Sequence, residues 1–360
     1  MSTLARQNFI RVMSPKIRQS NIELLRIVSM LFIIVYHFLL HAIKPANPQW
    51  DQLLSALIPV VHIGVICFVL ISGYWGIRFS VKGFIRLFLY CSFYSVLIYL
   101  AYTGINPGSF NMVELHRNIL PFQWWFVQIY LCLYLLAPII KMPLKKASLQ
   151  QKLMYVVILA IISFVLGNFI PQLKGGKNPI NFVFIYYIGS LLQSVVRAGH
   201  LPEQKRKSRA IVLYAGLSVF TFLALYLCYP YKTVYNMLYR VFYEYNGIGL
   251  ILSASLLFLV LISFNLRSKY INRVARSVFS VYLLHENDYL SRYLYTFLNH
   301  MQEVIQSTAL YAVFVAFMVL LVFGVAVGID KLLSPLIYNL TERFTQLRLV
   351  RWVNYKVARA

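Results

Sequence analysis

The sequence predicts an all-α polytopic membrane protein of about ten transmembrane helices with both termini cytoplasmic. Three observations carry this: the apolar composition, the recurrence of apolar segments of spanning length, and the alternation of basic residues between loops. Of 360 residues 60% are hydrophobic and only 12% charged, with 27 Tyr and 26 Phe. The mean hydropathy is +0.68, well beyond that of a soluble domain of this length. A helix needs about 20 apolar residues to cross the hydrocarbon core. Such segments run over 22–43, 53–77, 84–103, 122–140, 153–170, 180–196, 210–228, 247–264, 277–298 and 305–328.

The charges test this count element by element. A basic segment, 1–20, with Arg6, Arg11, Lys16 and Arg18, precedes a first span long enough to remain as an anchor. With that segment inside, the inner loops carry Arg78, Lys82 and Arg86, then Lys141, Lys145, Lys146 and Lys152. The next two inner loops carry Arg197, Lys205, Arg206, Lys207 and Arg209, then Arg267, Lys269, Arg273 and Arg276. The other side keeps only Lys44, Arg117, Lys174, Lys177, Lys232, Arg240 and Arg292 of 34 Lys and Arg. That asymmetry is the positive-inside pattern. It accounts for the net charge of +24 through topology and contact with anionic membrane lipids, and no nucleic-acid partner is expected. The ten-helix domain is expected over 21–330 and a cytoplasmic basic tail over 331–360. From Thr341 to Ala360 that tail interleaves Arg343, Arg348, Arg351 and Lys356 with Phe344, Leu347 and Trp352, as an interfacial helix does. Cys67, Cys91, Cys132 and Cys228 lie in apolar runs at unrelated spacings, so neither a disulfide framework nor a zinc site is expected. No internal repeat is evident, which weighs against an inverted-repeat transporter.

The first span, "IELLRIVSMLFIIVYHFLLHA", carries polar groups that hydrocarbon penalises. Arg26 and His37 are eleven residues apart, about three turns, so they share one helix face with Glu23 and His41. At about 1.5 Å per residue His37 lies roughly 16 Å beyond Arg26, near the bilayer midplane. Arg26 alone can be read as an interfacial residue paired with Glu23, and His37 as a histidine hydrogen-bonded to a neighbouring helix. A midplane imidazole facing the bundle interior is equally a functional-site candidate.

Arginine, ten intervening residues and histidine in the first span, with an acid three before the arginine, resembles the signature of membrane acyltransferase family 3. "FVLISGYWGIRFS" resembles that family's Ser-Gly-Tyr segment, "WWFVQIYLCLYLLAPII" its aromatic fourth span, "FIYYIGSLL" its sixth and "VFSVYLLHEN" its late histidine segment. One departure is Gly83, where relatives often carry an arginine three before Arg86; Lys82 stands one position earlier. The resemblance implies an integral membrane O-acyltransferase, in particular an O-acetyltransferase, of the bacterial plasma membrane. Its donor would be acetyl-CoA or another acyl-CoA, its acceptor a polysaccharide or lipid-linked glycan, and no metal is implied.

A sugar hydroxyl is a weak nucleophile at neutral pH, and histidine has the pKa range for a base that activates it. Under the resemblance, His37 is that base, and Arg26, with Glu23 beside it, stands at the donor entrance. The coenzyme A phosphates would meet Arg78, Lys82 and Arg86 beside Ser72, Gly73 and Tyr74, with Gly73 permitting close backbone approach. His285 would orient His37 or hold the acyl oxygen; a packing network of His285, Glu286, Asp288 and Arg292 remains open beside that reading. Glu114, His116, Arg117, Arg240 and Glu244 in the outer loops suit a carbohydrate, and Trp124 and Trp125 read as interfacial belt residues. The rival readings are a transporter or flippase for a lipid-linked sugar, and a structural subunit of a surface-polymer assembly.

Overall fold

The computed structural model describes residues 20–45, 47–199 and 203–347. It is 85% helical, with no strand among the described residues. The basic segment before residue 20 and the tail beyond residue 347 lie outside those residues; Thr341–Thr345 simply continue the last helix. The chain folds as α1 (Ser20–His37), α2 (Pro48–Val61), α3 (Gly64–Trp75), α4 (Val81–Ile105) and α5 (Met112–Ile119). There follow α6 (Trp125–Lys146), α7 (Leu149–Phe169), α8 (Pro179–Ala198), α9 (Glu203–Cys228) and α10 (Lys232–Tyr243). The last third is α11 (Ile248–Ile262), α12 (Lys269–Val274), α13 (Val278–His285), α14 (Asp288–Val304) and α15 (Thr308–Thr345).

Among the described residues eight helical segments are long and apolar enough to cross a membrane, which fits the all-α multi-pass architecture; the fifth and ninth of the expected spans fall outside those eight. The expected fifth span corresponds to the shorter apolar stretch Leu149–Val165. The expected ninth is broken: α13 ends at His285 and α14 starts at Asp288. The break is local chemistry. Asn287 Oδ1 accepts the Tyr289 N–H at 3.0 Å, and asparagine is a preferred N-cap because its side chain satisfies an orphan N–H of the first turn. The second span, Pro48–Trp75, is likewise two helices joined at His62 and Ile63.

α1 occupies the middle of the bundle, touching α2, α3, α11, α12, α13 and α15. α3 reads GVICFVLISGYW, apolar all round, which suits a helix with no solvent or lipid face. It crosses α8 at its closest approach through Gly73 and Gly189, where a Cβ would collide with the Tyr186 and Leu70 carbonyl oxygens respectively. Gly76 ends α3 with φ 73°, a left-handed conformation that costs glycine little. α9, by contrast, exposes Ile211, Val212, Leu213 and Phe220, an outward apolar face of the kind lipid covers.

The bundle has two chemically distinct ends. At one, Asn21 Nδ2 donates to the Ile262 carbonyl at 2.9 Å, the Ser268 N–H donates to Ser20 Oγ at 2.8 Å, and Lys82 meets Glu342. At the other, Gln302 Nε2 donates to the Lys44 carbonyl at 2.7 Å, and Tyr102 of α4 packs 4.8 Å from Tyr289 of α14. The first is called the basic end below.

Candidate active site

The α-helical ladder of α1 stops at His37 and widens into a π-helical turn over Phe38–Ala42, closed by the Ile43 N–H on the Phe38 carbonyl at 3.0 Å. Such insertions recur at functional sites because they re-aim side chains. Here His41 stacks on Tyr295 of α14, ring centroids 5.5 Å apart, while His37 faces the break between α13 and α14.

Hydrogen-bond partners assign the protons. His285 Nδ1 lies 2.6 Å from the Val281 carbonyl, which only accepts, so Nδ1 carries the proton and a neutral His285 presents a lone pair at Nε2. His37 Nδ1 stands 3.1 Å from that Nε2 and 2.9 Å from Glu286 Oε2. Both are acceptors, so His37 Nδ1 is protonated and donates to them. The neutral His37 ring is thereby left with its free lone pair on Nε2. Tyr295 O–H donates to the same Glu286 oxygen at 3.2 Å. His37 and His285 are buried, and the Glu286 side chain keeps 26% exposure. A base, a carboxylate that orients it and a second ring that fixes its tautomer form the arrangement used to activate a hydroxyl nucleophile. His37, His285 and Glu286 also have the types of a metal-ligand set, their ligand atoms within 4.8 Å of one another, and the two contacts that His37 Nδ1 makes are at hydrogen-bond distance.

Lys177, in the turn before α8, lies over the Trp125 ring at 4.9 Å. Burial pushes its ammonium below the usual lysine range, and Glu286 pulls the other way. Tyr36, the neighbour of His37, is locked in place by its hydroxyl contact of 2.8 Å with Tyr243 and by stacking on His62 at 4.3 Å. His62 is saturated: Nδ1 donates to the Tyr243 carbonyl at 2.9 Å and Nε2 accepts the Tyr245 hydroxyl at 2.7 Å. His62 and Glu286 are the site residues that sequence reasoning passed over as, respectively, part of an apolar run and one member of a polar cluster.

At the basic end Arg26 donates from Nη1 to Glu23 at 3.0 and 3.2 Å, so the i, i+3 pair forms. Arg26 lines a cavity of about 350 Å³ with Arg276, Ser72, Tyr130, Phe126 and Phe279. Ser72 Oγ donates to the Phe68 carbonyl at 3.0 Å, so the Tyr130 hydroxyl at 3.1 Å donates to Ser72. Of the Ser-Gly-Tyr segment only Ser72 reaches this cavity. Gly73 serves the α3–α8 crossing, and Tyr74 is buried against Phe258 at 5.1 Å. Arg78 is exposed, its carbonyl accepting from Tyr134. Lys82 and Arg86 are both bound to the Glu342 carboxylate of α15. Phe126 meets Tyr282 edge-on at 5.8 Å, and Tyr282 meets His285 at 6.1 Å. Two aromatic rings therefore separate the Arg26 cavity from the histidine pair.

At the opposite end Gln123, three residues before Phe126, lines a larger cavity of about 700 Å³. Its Oε1 accepts from Asn287 Nδ2 at 3.0 Å, next to Glu286. Gln123 lines the second cavity and Phe126 the first, so residues 123–126 run between the two as a partition; neither His37 nor Glu286 lines either cavity. Trp124 in this partition is 1% exposed, so it is an interior residue and not an interfacial belt residue. Trp125 packs on Tyr245 at 5.1 Å.

The family model of the acyltransferase domain of acyltransferase family 3 matches residues 19–328, a stretch holding every site residue above except Glu342. The chain belongs to acyltransferase family 3. No curated protein and no solved structure matches it. As a family 3 acyltransferase it is a multi-pass membrane enzyme that moves an acyl group.

Proposed function

We propose that this acyltransferase transfers an acyl group, acetyl in the first instance, from acyl-CoA in the cytosol to a hydroxyl of a cell-surface or lipid-linked glycan at a bacterial plasma membrane. The observation that carries the reading is the His37 Nδ1–H on Glu286 at 2.9 Å, which leaves Nε2 as the basic atom. The basic end is taken as cytoplasmic by the positive-inside pattern. The donor's phosphates meet Arg26 and Arg276, and its thioester arm passes Phe126 toward the histidine pair. The acceptor hydroxyl attacks the thioester carbonyl carbon while His37 Nε2 takes its proton. Collapse of the tetrahedral adduct breaks the C–S bond, and the leaving thiolate receives that proton from His37. The products are an ester and free coenzyme A, and Glu286 stabilises the imidazolium that forms between the two steps.

The test is acyl transfer by the purified full-length protein from labelled acetyl-CoA to the unacylated surface glycan. His37→Ala, inserted and purified like the wild type, should lose about a hundredfold to ten-thousandfold in rate, the usual contribution of a general base. Wild-type turnover by that variant removes His37 from the mechanism.

A further inference from the structure

Beyond Gln123 the cavity at the opposite end has the size of a small-molecule site, about 700 Å³ against roughly 300–1,000 Å³ for such pockets. One wall is aromatic. Tyr102 lies 4.8 Å from Tyr289 and 6.3 Å from Tyr293, so three rings from two helices form a continuous surface.

Beside that wall Asp288 and Arg292 stand one turn apart on α14 and share its face. Among the described residues Arg292 makes no ion pair, although its charge acts on Asp288. Both side chains are exposed to the cavity's open side. The far rim is the Glu114–Arg117 pair at 2.6 Å, so acidic and basic charges in the lining balance. Its floor is amide. Buried Asn118 donates to the Tyr289 hydroxyl at 3.3 Å and accepts from Ser95 at 2.9 Å, and Gln123 bridges Ser95 to Asn287. This chain of hydrogen bonds ends one residue from Glu286.

Each property narrows the occupant. A lipid tail would offer the α14 charges Asp288 and Arg292 no polar partner. A polyanion would gain nothing from a lining without net positive charge. An uncharged sugar ring satisfies both requirements: its C–H face lies on the negative faces of the tyrosine rings, and adjacent hydroxyls pair with Asp288 and Arg292, each able to exchange two hydrogen bonds. We propose that this cavity is the acceptor subsite and that it selects an uncharged pyranose unit, with Asp288 and Arg292 as its specificity-determining residues. The assignment rests on the glycan-acceptor reading above and adds to it which unit is read and by which side chains.

The experiment is steady-state kinetics of the purified full-length protein with acetyl-CoA and the unacylated surface glycan taken from a strain lacking the gene. Asp288→Asn with Arg292→Gln should raise KM for the glycan at least tenfold, with the loss falling on KM rather than kcat. Tyr293→Ala should raise the same KM, and the wild-type KM should change little as salt rises, because no net charge is screened. An unchanged glycan KM in the double variant, or a steep salt dependence in the wild type, overturns the subsite while leaving the transferase reading intact. A wild-type protein that acylates no glycan overturns that reading, and the subsite with it.

Discussion

Glu286 is the charged one of the two acceptors that hold the proton on His37 Nδ1 and so leave Nε2 free, the other being His285 Nε2. Glu286→Gln keeps an acceptor oxygen but brings an amide that can also donate, so His37 can flip tautomer and present the wrong nitrogen. A triad carboxylate changed to its amide loses about 10⁴ in kcat. A loss of roughly 10² to 10⁴ in kcat with little change in KM is expected here, read by transfer assays at saturating donor and acceptor. A KM effect with kcat intact would mean that Glu286 binds substrate and does not orient the base. His285→Gln should cost less, since Glu286 still accepts the His37 proton. At the donor end Arg26→Gln should weaken coenzyme A binding about tenfold at low salt, and the difference should shrink as salt rises. Equal affinities at low salt in a coenzyme A titration would detach Arg26 from the donor. His37, Arg26 and Glu23 were legible in the sequence because one helix fixes their spacing. The partnership of His37 with Glu286 was not, because it joins residues 249 positions apart through a break that only an asparagine cap signals. Lys82 and Arg86, expected at the donor phosphates under the family resemblance, both bind Glu342 on the last helix, a partner no local pattern announces.

At the scale of helices, the site is made by interruptions. The π-helical turn after His37, the joint at His62 and the break after Glu286 all occur beside the histidine pair, and each turns a side chain that a continuous helix would aim elsewhere. Hydropathy finds the spans and is blind to such joints, since flanking apolar residues carry a window across a single polar one. Hence the second and ninth spans read as continuous. The contact that holds this core is the crossing of α3 and α8 at Gly73 and Gly189. Gly73→Ala would drive a methyl group into the Tyr186 carbonyl oxygen, and overpacking of this kind costs about 1–3 kcal/mol. The expected outcome is a lower unfolding temperature in detergent, with activity falling in parallel as α3 shifts. An unfolding temperature equal to that of the wild type would mean that the crossing has slack.

For the whole molecule, the arrangement to explain is two cavities back to back. One carries Arg26 and Arg276 at the basic end, the other carries tyrosines, amides and balanced charges at the opposite end, and residues 123–126 run between them, with His37 reached from Phe126 through Tyr282 and His285. The alternation of basic loops in the sequence is what assigns the end carrying Arg26 and Arg276 to the cytoplasm in the proposal. That the second cavity reaches the same segment required the folded chain, because its walls come from α4, α5, the loop before α6 and α14. In the proposed reaction the acyl group crosses from one cavity to the other through the protein. The direct measurement uses sealed vesicles of one orientation, with labelled acetyl-CoA at the basic end only and glycan at the opposite end only. Labelled ester should be found on the glycan after the donor is washed away, and none with His37→Ala. Label appearing only when donor and glycan share a compartment would contradict it.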